Sequence, residues 1–322
     1  MKVNALWITD VGKIETKLTE IADEPFYDQV QVEIKACGIC AWDGALFKGL
    51  TMPNPYPFMH GHEGVGYVRK VGAGVKDIKV GQLVMCTEDA PQMVQIQNLQ
   101  RSAVTPILSD LKKDKLPLWV GEPIVCVVNA LANMPIKPGS KTVLIGAGYM
   151  GLLNIQGLAR TLIGSLTVFD IDESRLKLAK KYGADVTCMS NSSEAAAVIS
   201  DIQEQGGAEL VIECSGAVGG LELANNLMAQ TGTLNLFAWH RGERTINMTP
   251  WHQRGYRIYN TAPNFDRHFR DHVSETEILM RKGVFDQTDL ITHVRPYQEA
   301  QEIMEIATKK TENYIKGVIT FD

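Results

Sequence analysis

Three glycines at a fixed spacing limit the fold of this chain more than any other feature. Gly146, Gly148 and Gly151 come directly after the apolar run 142–145 and before a segment with helical periodicity. Glycines in this order allow a tight turn, close approach of the backbone to a pyrophosphate and close helix–strand packing. In this context the motif predicts a dinucleotide site. Its predicted cofactor-binding residues are Gly146, Gly148, Tyr149, Met150 and Gly151.

The chain beyond residue 136 alternates strand and helix patterns. Strands are predicted at 142–145, 166–169, 209–213 and 233–237, with helices between them. Repeated strand–helix–strand units with right-handed crossovers form a parallel, doubly wound sheet. Asp170 ends the second strand, where its carboxylate can accept hydrogen bonds from both ribose hydroxyls and repel a 2′-phosphate. We therefore expect NAD rather than NADP.

The first third of the chain is rich in strand patterns and carries a predicted metal site. Cys40 forms a Cys-x-x-Cys pair with Cys37, and His62 and Glu63 follow further along the chain. Catalytic zinc sites take three protein ligands from thiolate, imidazole and carboxylate groups and keep a position for water or substrate. We predict Cys40 and His62 as ligands. Glu63 and Glu122 are the candidate carboxylates, and each binds zinc directly or holds a ligand in place.

The pair Cys37-x-x-Cys40 alone could also be half of a zinc ribbon or a redox pair. The chain has no second Cys-x-x-Cys motif, and no early βαβ unit surrounds the pair, so both interpretations are weaker. His60, close to His62, is interpreted as a loop residue.

Composition argues against several classes of partner. The net charge is −5, with 32 Lys+Arg against 37 Asp+Glu, which gives no support for nucleic-acid or membrane-surface binding. A run of about eighteen uncharged apolar residues is not found, so no membrane span is expected. The N-terminal segment has the pattern of a strand, not of a signal peptide. The 6 cysteines are scattered through 322 residues, so we expect no disulfide framework and a cytoplasmic protein.

These motifs together resemble the zinc-dependent medium-chain alcohol dehydrogenases, particularly the polyol (sorbitol) and threonine dehydrogenase branch. The resemblance covers nearly the whole chain. It is carried by Cys37-Gly-Ile-Cys40 with Asp43, Gly61-His62-Glu63-Gly64, the glycines at 72 and 74, Glu122-Pro123, Lys137-Pro-Gly139, the motif at 146–151, Asp170 with Arg175, and Glu213-Cys-Ser-Gly216.

The resemblance implies an α/β chain with two domains. A GroES-like, β-rich catalytic domain is expected over 1–131 and 264–322, and a Rossmann NAD-binding domain over 132–263. Family members usually pair through the edge of the cofactor-domain sheet, so a homodimer or homotetramer is expected. The edge strands here would lie near 233–237 and 257–259.

The resemblance also assigns roles to single residues. It implies catalytic roles for Cys40, Asp43, His62 and Glu63, with Asp43 as the carboxylate that orients the ligand His62. It implies that Arg175, Cys214 and Ser215 border the bound cofactor, the last two near the nicotinamide.

Three departures from the family pattern bear on the site. The segment between Cys86 and Cys126 contains no cysteine, so the structural-zinc lobe is absent and one catalytic zinc per chain is expected. Trp42 stands where the family usually has Ser or Thr, and Ala45 where it often has His. An indole N–H donates a hydrogen bond but cannot shuttle a proton. One of the two candidate carboxylates or water on the metal would then take the proton, or the activity has drifted.

Aromatic and polar residues give weaker hints about the substrate. Trp42 beside Cys40 either lines the substrate pocket or packs as ordinary core. His240 and His252 lie in polar, aromatic segments that hint at a hydroxyl-rich ligand, although both are expected on the surface.

The sequence therefore favours a zinc- and NAD-dependent enzyme that oxidises a secondary alcohol, such as a polyol, a sugar or a related hydroxy compound. Two other interpretations stay open: a zinc-free enone or quinone reductase of the same superfamily, and a non-catalytic NAD-binding protein with a dehydrogenase fold. The expected partner is a small-molecule substrate, with neither nucleic acid nor membrane.

Overall fold

The structure, a computed structural model, describes residues 1–51, 56–109, 111–261, 269–311 and 313–321. The chain forms two compact units, Met1–Val125 with Arg270–Asp322, and Cys126–Phe269. The predicted domain boundary between 263 and 264 lies outside the described residues. The limits 132–263 for the NAD-binding domain stay a prediction.

The elements of the described residues are as follows. The strands are β1 Lys2–Asp10, β2 Lys13–Glu20, β3 Gln29–Gly38, β4 Phe58–Met59, β5 Gly64–Val71, β6 Leu83–Cys86, β7 Ile96–Gln100, β8 Val104–Pro106, β9 Lys141–Ile145, β10 Ser165–Asp170, β11 Val186–Met189, β12 Ala208–Glu213, β13 Met228–Leu236, β14 Arg257–Asn260, β15 Ile291–Pro296 and β16 Lys316–Thr320. The helices are α1 Ala41–Phe47, α2 Glu122–Asn133, α3 Tyr149–Leu158, α4 Glu173–Tyr182, α5 Ala195–Glu204, α6 Val218–Leu227, α7 Thr249–Arg254, α8 Asp271–Arg281 and α9 Ala300–Lys309. Short 3₁₀ helices cover Arg101–Ala103, Lys113–Trp119 and Tyr297–Glu299.

The first unit is built around β3. The main sheet has the order β15-β16-β3-β5-β6-β8, and β7 also pairs with β3. A smaller sheet has the order β2-β1-β4. Val30, Val32 and Ile34 alternate along β3 and are fully buried, as period-two patterning requires of a strand with a core face. This β-rich architecture agrees with the prediction for the first third of the chain.

Two pairings of β3 position the candidate metal site. On one side β5 runs antiparallel to β3, with Gly64 opposite Cys37. On the other side β16 runs antiparallel to β3, with Ile319 opposite Cys37. The loop before β5 and the start of β16 therefore both lie at the end of β3 that carries the cysteine pair.

The second unit contains the predicted parallel, doubly wound sheet. Its strand order is β11-β10-β9-β12-β13-β14, and every neighbouring pair is parallel. The strand order reverses between β9 and β12, and ligands of such sheets bind at the carboxyl ends of the strands at this point. The glycine motif follows β9 directly. Among the described residues the edge strands of this sheet are β11 and β14; β14 agrees with the edge expected near 257–259, whereas β13, near 233–237, is internal.

The structure contains elements that the sequence patterns did not predict, two of them in the middle of the second unit, and one helix boundary differs. These two elements are β11 and α5. Only one of the four residues of β11 is buried, so this edge strand lacks a clear apolar alternation. The helical pattern that follows the glycine motif extends to about residue 162, but helix α3 ends at Leu158, whose carbonyl accepts a hydrogen bond from the Thr161 hydroxyl at 2.7 Å.

One helical stretch of the described chain, Lys113–Asn133, is long and apolar enough to cross a membrane. Within its most apolar window, 67% of the residues are buried inside the protein. A core helix has the same length and composition, so this stretch is weak evidence for a membrane span.

Candidate metal centre and cofactor site

The start of helix α1 positions the Cys40 thiol. The Cys40 backbone is extended (φ −81°, ψ 157°), and its N–H donates to Asp43 Oδ2 at 2.7 Å. This contact is half of a capping box, in which the side chain of the third helical residue accepts a hydrogen bond from the backbone N–H of the residue that precedes the helix. Asp43 is only 1% exposed, so its carboxylate is fixed beneath the first turn. The hydrogen bond at the N-terminus of α1 thus holds Cys40 and Asp43 together.

His62 and Glu63 lie in the loop between β4 and β5. The loop turns at Gly61, whose φ is +96° and whose Cβ, if present, would lie 2.6 Å from Met93 Cγ. Only glycine fits there, because the backbone angle and the available space both exclude a side chain. The His60 and His62 rings are perpendicular, with centroids 5.6 Å apart.

Two overlapping sets of donor atoms meet in this region of the described residues. One set is Cys40, His62 and Glu63, and the other is Asp43, His60 and His62. Within each set the donor atoms lie within 4.8 Å of one another. Thiolate, imidazole and carboxylate are the ligands that zinc prefers in proteins. The first set contains three of the four predicted metal ligands.

Burial and hydrogen bonding change the pKa of two candidate ligands. Burial raises the pKa of the Cys40 thiol above its usual 9.0, and a hydrogen bond to His62 only partly opposes this. Burial lowers the pKa of His62, but the hydrogen bond to Cys40 and the charge of Glu122 outweigh it, so this pKa lies well above 6.5. Both groups therefore hold protons near neutral pH until a metal displaces them.

Glu122 and Trp42 lie beside this centre. Glu122 begins α2, is buried, and lies near enough to His62 for its charge to raise the pKa of that ring. Among the residues that the structure describes, it does not belong to either donor set. Trp42 lies on the first turn of α1, with 40% of the residue exposed. The roles of both residues stay predictions.

Glu63 forms a buried ion pair with Lys316, which the sequence patterns did not single out. Lys316 Nζ lies 2.8 Å from Glu63 Oε1 and 2.5 Å from Oε2, with side chains 5% and 2% exposed. Gly38 leaves room for this carboxylate, because a Cβ there would lie 1.9 Å from Glu63 Oε2. Lys316 is the first residue of β16, so its place depends on the pairing of the last strand with β3. The sequence offered one signal for Lys316, namely a single charged residue in the otherwise uncharged last strand.

The structure pairs Asp43 with His60, which the sequence treated as a loop residue. His60 does lie in the loop before β5, but its Nδ1 contacts Asp43 Oδ1. Burial raises the pKa of Asp43, yet the hydrogen bond from His60 and nearby positive charge outweigh it, so this pKa lies below 3.8. The predicted role of Asp43 in orienting His62 stays a prediction. The close spacing of two histidines was the available signal for His60.

The glycine motif in the second unit has the geometry of a phosphate-binding turn. Gly146 has φ +96°, and a Cβ there would lie 2.6 Å from the Ser215 backbone nitrogen. A Cβ on Gly151 would lie 1.9 Å from the Gly146 carbonyl oxygen, whereas one on Gly148 would meet nothing within 4 Å. Gly148 is the residue before α3, whose first residues are Tyr149 and Met150. The turn therefore leaves open space at the helix N-terminus, where phosphates bind in such folds.

Asp170 lies at the end of β10 against this turn. Its Oδ2 accepts a hydrogen bond from the Ala147 N–H at 2.5 Å, and its Oδ1 accepts one from the Asp172 N–H at 2.9 Å. Arg175 lies nearby on α4, with Nε 3.7 Å from Asp172 Oδ2. The acid thus fixes the glycine turn as well as ending the strand.

Cys214 and Ser215 follow β12 and adjoin the glycine turn. The Cys214 N–H donates to the Ile145 carbonyl at 2.8 Å, and the Ser215 N–H donates to Glu213 Oε1 at 2.9 Å. Glu213 is fully buried, and its Oε2 lies 2.7 Å from His240 Nε2. The expectation of a surface position for His240 is wrong, because only 13% of its side chain is exposed. His252, by contrast, is exposed.

Two family models match this chain in the same order as its two units. The alcohol dehydrogenase GroES-like domain matches residues 27–106, and the zinc-binding dehydrogenase model matches residues 137–275. The fold class predicted from the sequence, a GroES-like domain with a Rossmann domain, is confirmed. The chain belongs to the zinc-type medium-chain alcohol dehydrogenase family.

Individual relatives extend the same likeness over most of the chain. The zinc-type alcohol dehydrogenase-like protein YdjJ of Escherichia coli is 25% identical over 331 residues, covering 92% of each chain. Galactitol 1-phosphate 5-dehydrogenase of Escherichia coli is 29% identical, covering 70% of this chain and 73% of that protein. Among solved structures, galactitol-1-phosphate dehydrogenase from Escherichia coli superposes with a TM-score of 0.88 at 20% identity, covering 99% and 100% of the chains. A zinc-binding dehydrogenase from Sinorhizobium meliloti, bound to NADP, superposes with a TM-score of 0.84 at 20% identity, covering 100% of each chain.

Proposed function

We propose that this oxidoreductase oxidises a secondary alcohol group of a hydroxyl-rich small molecule, with zinc and NAD as its cofactors. The observation that carries the proposal is the convergence of Cys40, His62 and Glu63 donor atoms within 4.8 Å. The family supports an oxidoreductase that acts on alcohols or polyols. The zinc, the NAD preference and the substrate class are the proposed part.

The donor chemistry of the site fits a zinc ion. Cys40 supplies a thiol, which is a soft ligand as the thiolate, and His62 supplies an imidazole; zinc binds both, whereas magnesium and calcium prefer oxygen ligands. A carboxylate from Glu63 or Glu122 would complete a three-ligand set and leave a position for substrate. When bound, zinc supplies Lewis acidity to an alcohol or carbonyl oxygen, and the nicotinamide accepts or returns the hydride.

The side chains of the chain itself would orient and deprotonate the substrate. Asp43 holds the Cys40 backbone through its N–H, which keeps the thiolate in one position. Glu63 and Glu122 are the proposed proton acceptors, because Trp42 and Ala45 carry no group that can shuttle a proton. Trp42 lies on the first turn of α1 and is partly exposed. We propose that it lines the substrate pocket.

The second unit would hold the dinucleotide. The open space at Gly148, at the N-terminus of α3, suits a pyrophosphate. The Asp170 carboxylate beside the turn favours NAD, since it would repel a 2′-phosphate. Arg175, Cys214 and Ser215 are proposed to border the cofactor. The Sinorhizobium meliloti neighbour is bound to NADP, so both cofactors belong in the test.

Three broader features follow from the same proposal. Relatives named sorbitol dehydrogenase and galactitol 1-phosphate 5-dehydrogenase support a polyol, sugar or sugar phosphate as substrate. Association into a homodimer or homotetramer through β14 is proposed because β14 is an edge strand of the sheet among the described residues. A cytoplasmic location is proposed from the scattered cysteines.

The test is a substrate screen of the zinc-loaded protein. Polyols, sugars, sugar phosphates and amino alcohols are offered with NAD⁺ or NADP⁺, and formation of the reduced cofactor is followed by absorbance. We expect turnover with at least one polyol-type substrate, faster with NAD⁺. Turnover should vanish in Cys40→Ala and persist in Cys37→Ala, a matched change at the neighbouring buried cysteine.

Three results would contradict the proposal in different ways. Turnover in Cys40→Ala equal to that of the parent protein would support a zinc-free reductase. The same screen tests this alternative when enones and quinones are offered with reduced cofactor. NAD binding without any turnover would support a non-catalytic NAD-binding protein. Better turnover with NADP⁺ would overturn the cofactor assignment alone.

A further inference from the structure

A single buried carboxylate links three parts of the candidate metal centre. Asp43 Oδ1 contacts His60 Nδ1, and Oδ2 accepts the Cys40 N–H at 2.7 Å. A donor atom of Asp43 also lies within 4.8 Å of His60 and His62 donor atoms. His60 is therefore hydrogen-bonded to Asp43, which holds the backbone of Cys40 and lies close to His62.

We infer that His60 is a positioning residue of the zinc centre, which fixes Asp43 and through it Cys40 and His62. The inference rests on the proposed function, because it assumes that Cys40 and His62 bind zinc. It adds a residue to which neither the sequence patterns nor the family resemblance assigned a role.

The loop backbone holds His60 in place independently of any ligand. The Met93 N–H donates to the His60 carbonyl at 3.0 Å, and the Gln92 N–H donates to the Gly61 carbonyl at 2.9 Å. Gly61, between the two histidines, has a φ of +96°, a backbone angle that favours glycine, so the chain turns sharply between His60 and His62. His60 thus meets Asp43 from a fixed direction.

Asp43 needs this partner because it is almost fully buried. A buried carboxylate without enough hydrogen-bond donors is expensive, and it relaxes by moving or by taking up a proton. His60 and the Cys40 N–H supply one donor to each of its two oxygens. Loss of His60 would free one oxygen and loosen the support of both candidate ligands.

Removal of such a supporting partner typically weakens metal binding about 10- to 100-fold. We therefore expect His60→Leu to weaken zinc binding by about that factor, measured by competition with a chromophoric chelator at one fixed pH. His60→Asn carries an amide N–H close to the position of the histidine Nδ1, so it should restore most of the affinity.

The chain offers a closely matched control in His272. Its Nδ1 also binds a carboxylate, Glu275 Oε2, at 2.7 Å, and its side chain is 13% exposed compared with 23% for His60. His272→Leu should leave zinc affinity unchanged. Circular dichroism of each variant checks that it is folded, and Asp43→Asn tests the same connection from the other side if His60→Leu does not fold.

Cobalt substitution separates a positioning role from direct ligation. With Co²⁺ in place of zinc, the visible bands of His60→Leu should keep the energies of the parent protein, since Cys40 and His62 remain the ligands. In the double variant His60→Leu/Asp43→Asn, the loss of affinity should be smaller than the sum of the two single losses, because both changes break the same His60–Asp43 contact.

The outcomes are distinct. Zinc affinity unchanged in His60→Leu, or no recovery in His60→Asn, would overturn the positioning role of His60. A shift of the cobalt bands in His60→Leu would overturn it in favour of a direct ligand. If the parent protein itself binds no zinc, the proposed function fails first and this inference fails with it.

Discussion

Replacing Lys316 with methionine tests how the candidate metal centre is built. Lys316 Nζ lies 2.8 Å and 2.5 Å from the two Glu63 oxygens, and the side chains are 5% and 2% exposed. At an effective dielectric constant of about 20, unit charges roughly 2.7 Å apart attract by about 6 kcal/mol. After the change, relaxation of the protein around the remaining carboxylate recovers part of this lost attraction. Removal of one partner of a buried ion pair costs about 3–5 kcal/mol in other proteins.

We expect Lys316→Met to lower the free energy of unfolding of the metal-free protein by about 3–5 kcal/mol. The assay is urea unfolding after chelation, in which a lower midpoint at an unchanged slope reports lost stability. The matched control is Lys309→Met, whose exposed ion pair with Glu305 has a 2.9 Å separation and side chains 62% and 43% exposed. Exposed pairs contribute about 0–1 kcal/mol, so this control should stay close to the parent protein.

A double variant shows whether the loss arises from the unpaired carboxylate. Lys316→Met/Glu63→Gln removes both charges, so it should be clearly more stable than Lys316→Met alone. Equal losses in Lys316→Met and Lys309→Met would refute the reasoning, because they would mean that the pair is not buried or not formed.

Three further predictions concern the metal and the cofactor. Burial raises the pKa of Cys40, whereas burial lowers the pKa of His62 but is outweighed by the hydrogen bond to Cys40 and the charge of Glu122, so zinc must displace a proton from each group. Zinc affinity should therefore rise with pH between pH 6 and 8, by up to about tenfold per pH unit for each proton. A pH-independent affinity would contradict this. Gly151→Ala should destabilise the protein in thermal melts, whereas Gly148→Ala should keep its stability and weaken NAD binding in calorimetry; equal effects would contradict the phosphate-turn geometry. Asp170→Ser should raise kcat/KM for NADP⁺ relative to NAD⁺, and an unchanged ratio would remove Asp170 from cofactor choice.

The cofactor half of the fold was accessible from the sequence because its signals are local. The apolar run before Gly146, the glycine spacing and Asp170 lie within one strand–helix–strand unit. Two of the missed elements are β11, which has only one buried residue of four, and α5, which follows it; an edge strand such as β11 needs little apolar alternation. Their existence depends on the neighbouring strand and helix, which a window along the sequence does not contain.

The candidate metal centre was only partly accessible. Cys40, His62 and Glu63 are residue types with a known preference for zinc, so their convergence could be predicted from spacing and resemblance. Lys316 could not, because strand pairing across the first unit brings it to Glu63 over a separation of 253 residues. His60 depends on the backbone turn at Gly61, which decides the direction in which the ring points.

Zinc K-edge X-ray absorption of the zinc-loaded protein tests the central claim most directly. If Cys40 and His62 hold the ion, the spectrum contains a sulfur scatterer at about 2.3 Å together with nitrogen or oxygen scatterers at about 2.0–2.2 Å. The sulfur contribution disappears in Cys40→Ala and persists in Cys37→Ala. A spectrum with nitrogen and oxygen scatterers alone, or a sulfur contribution that survives in Cys40→Ala, would contradict a zinc centre built on this thiol.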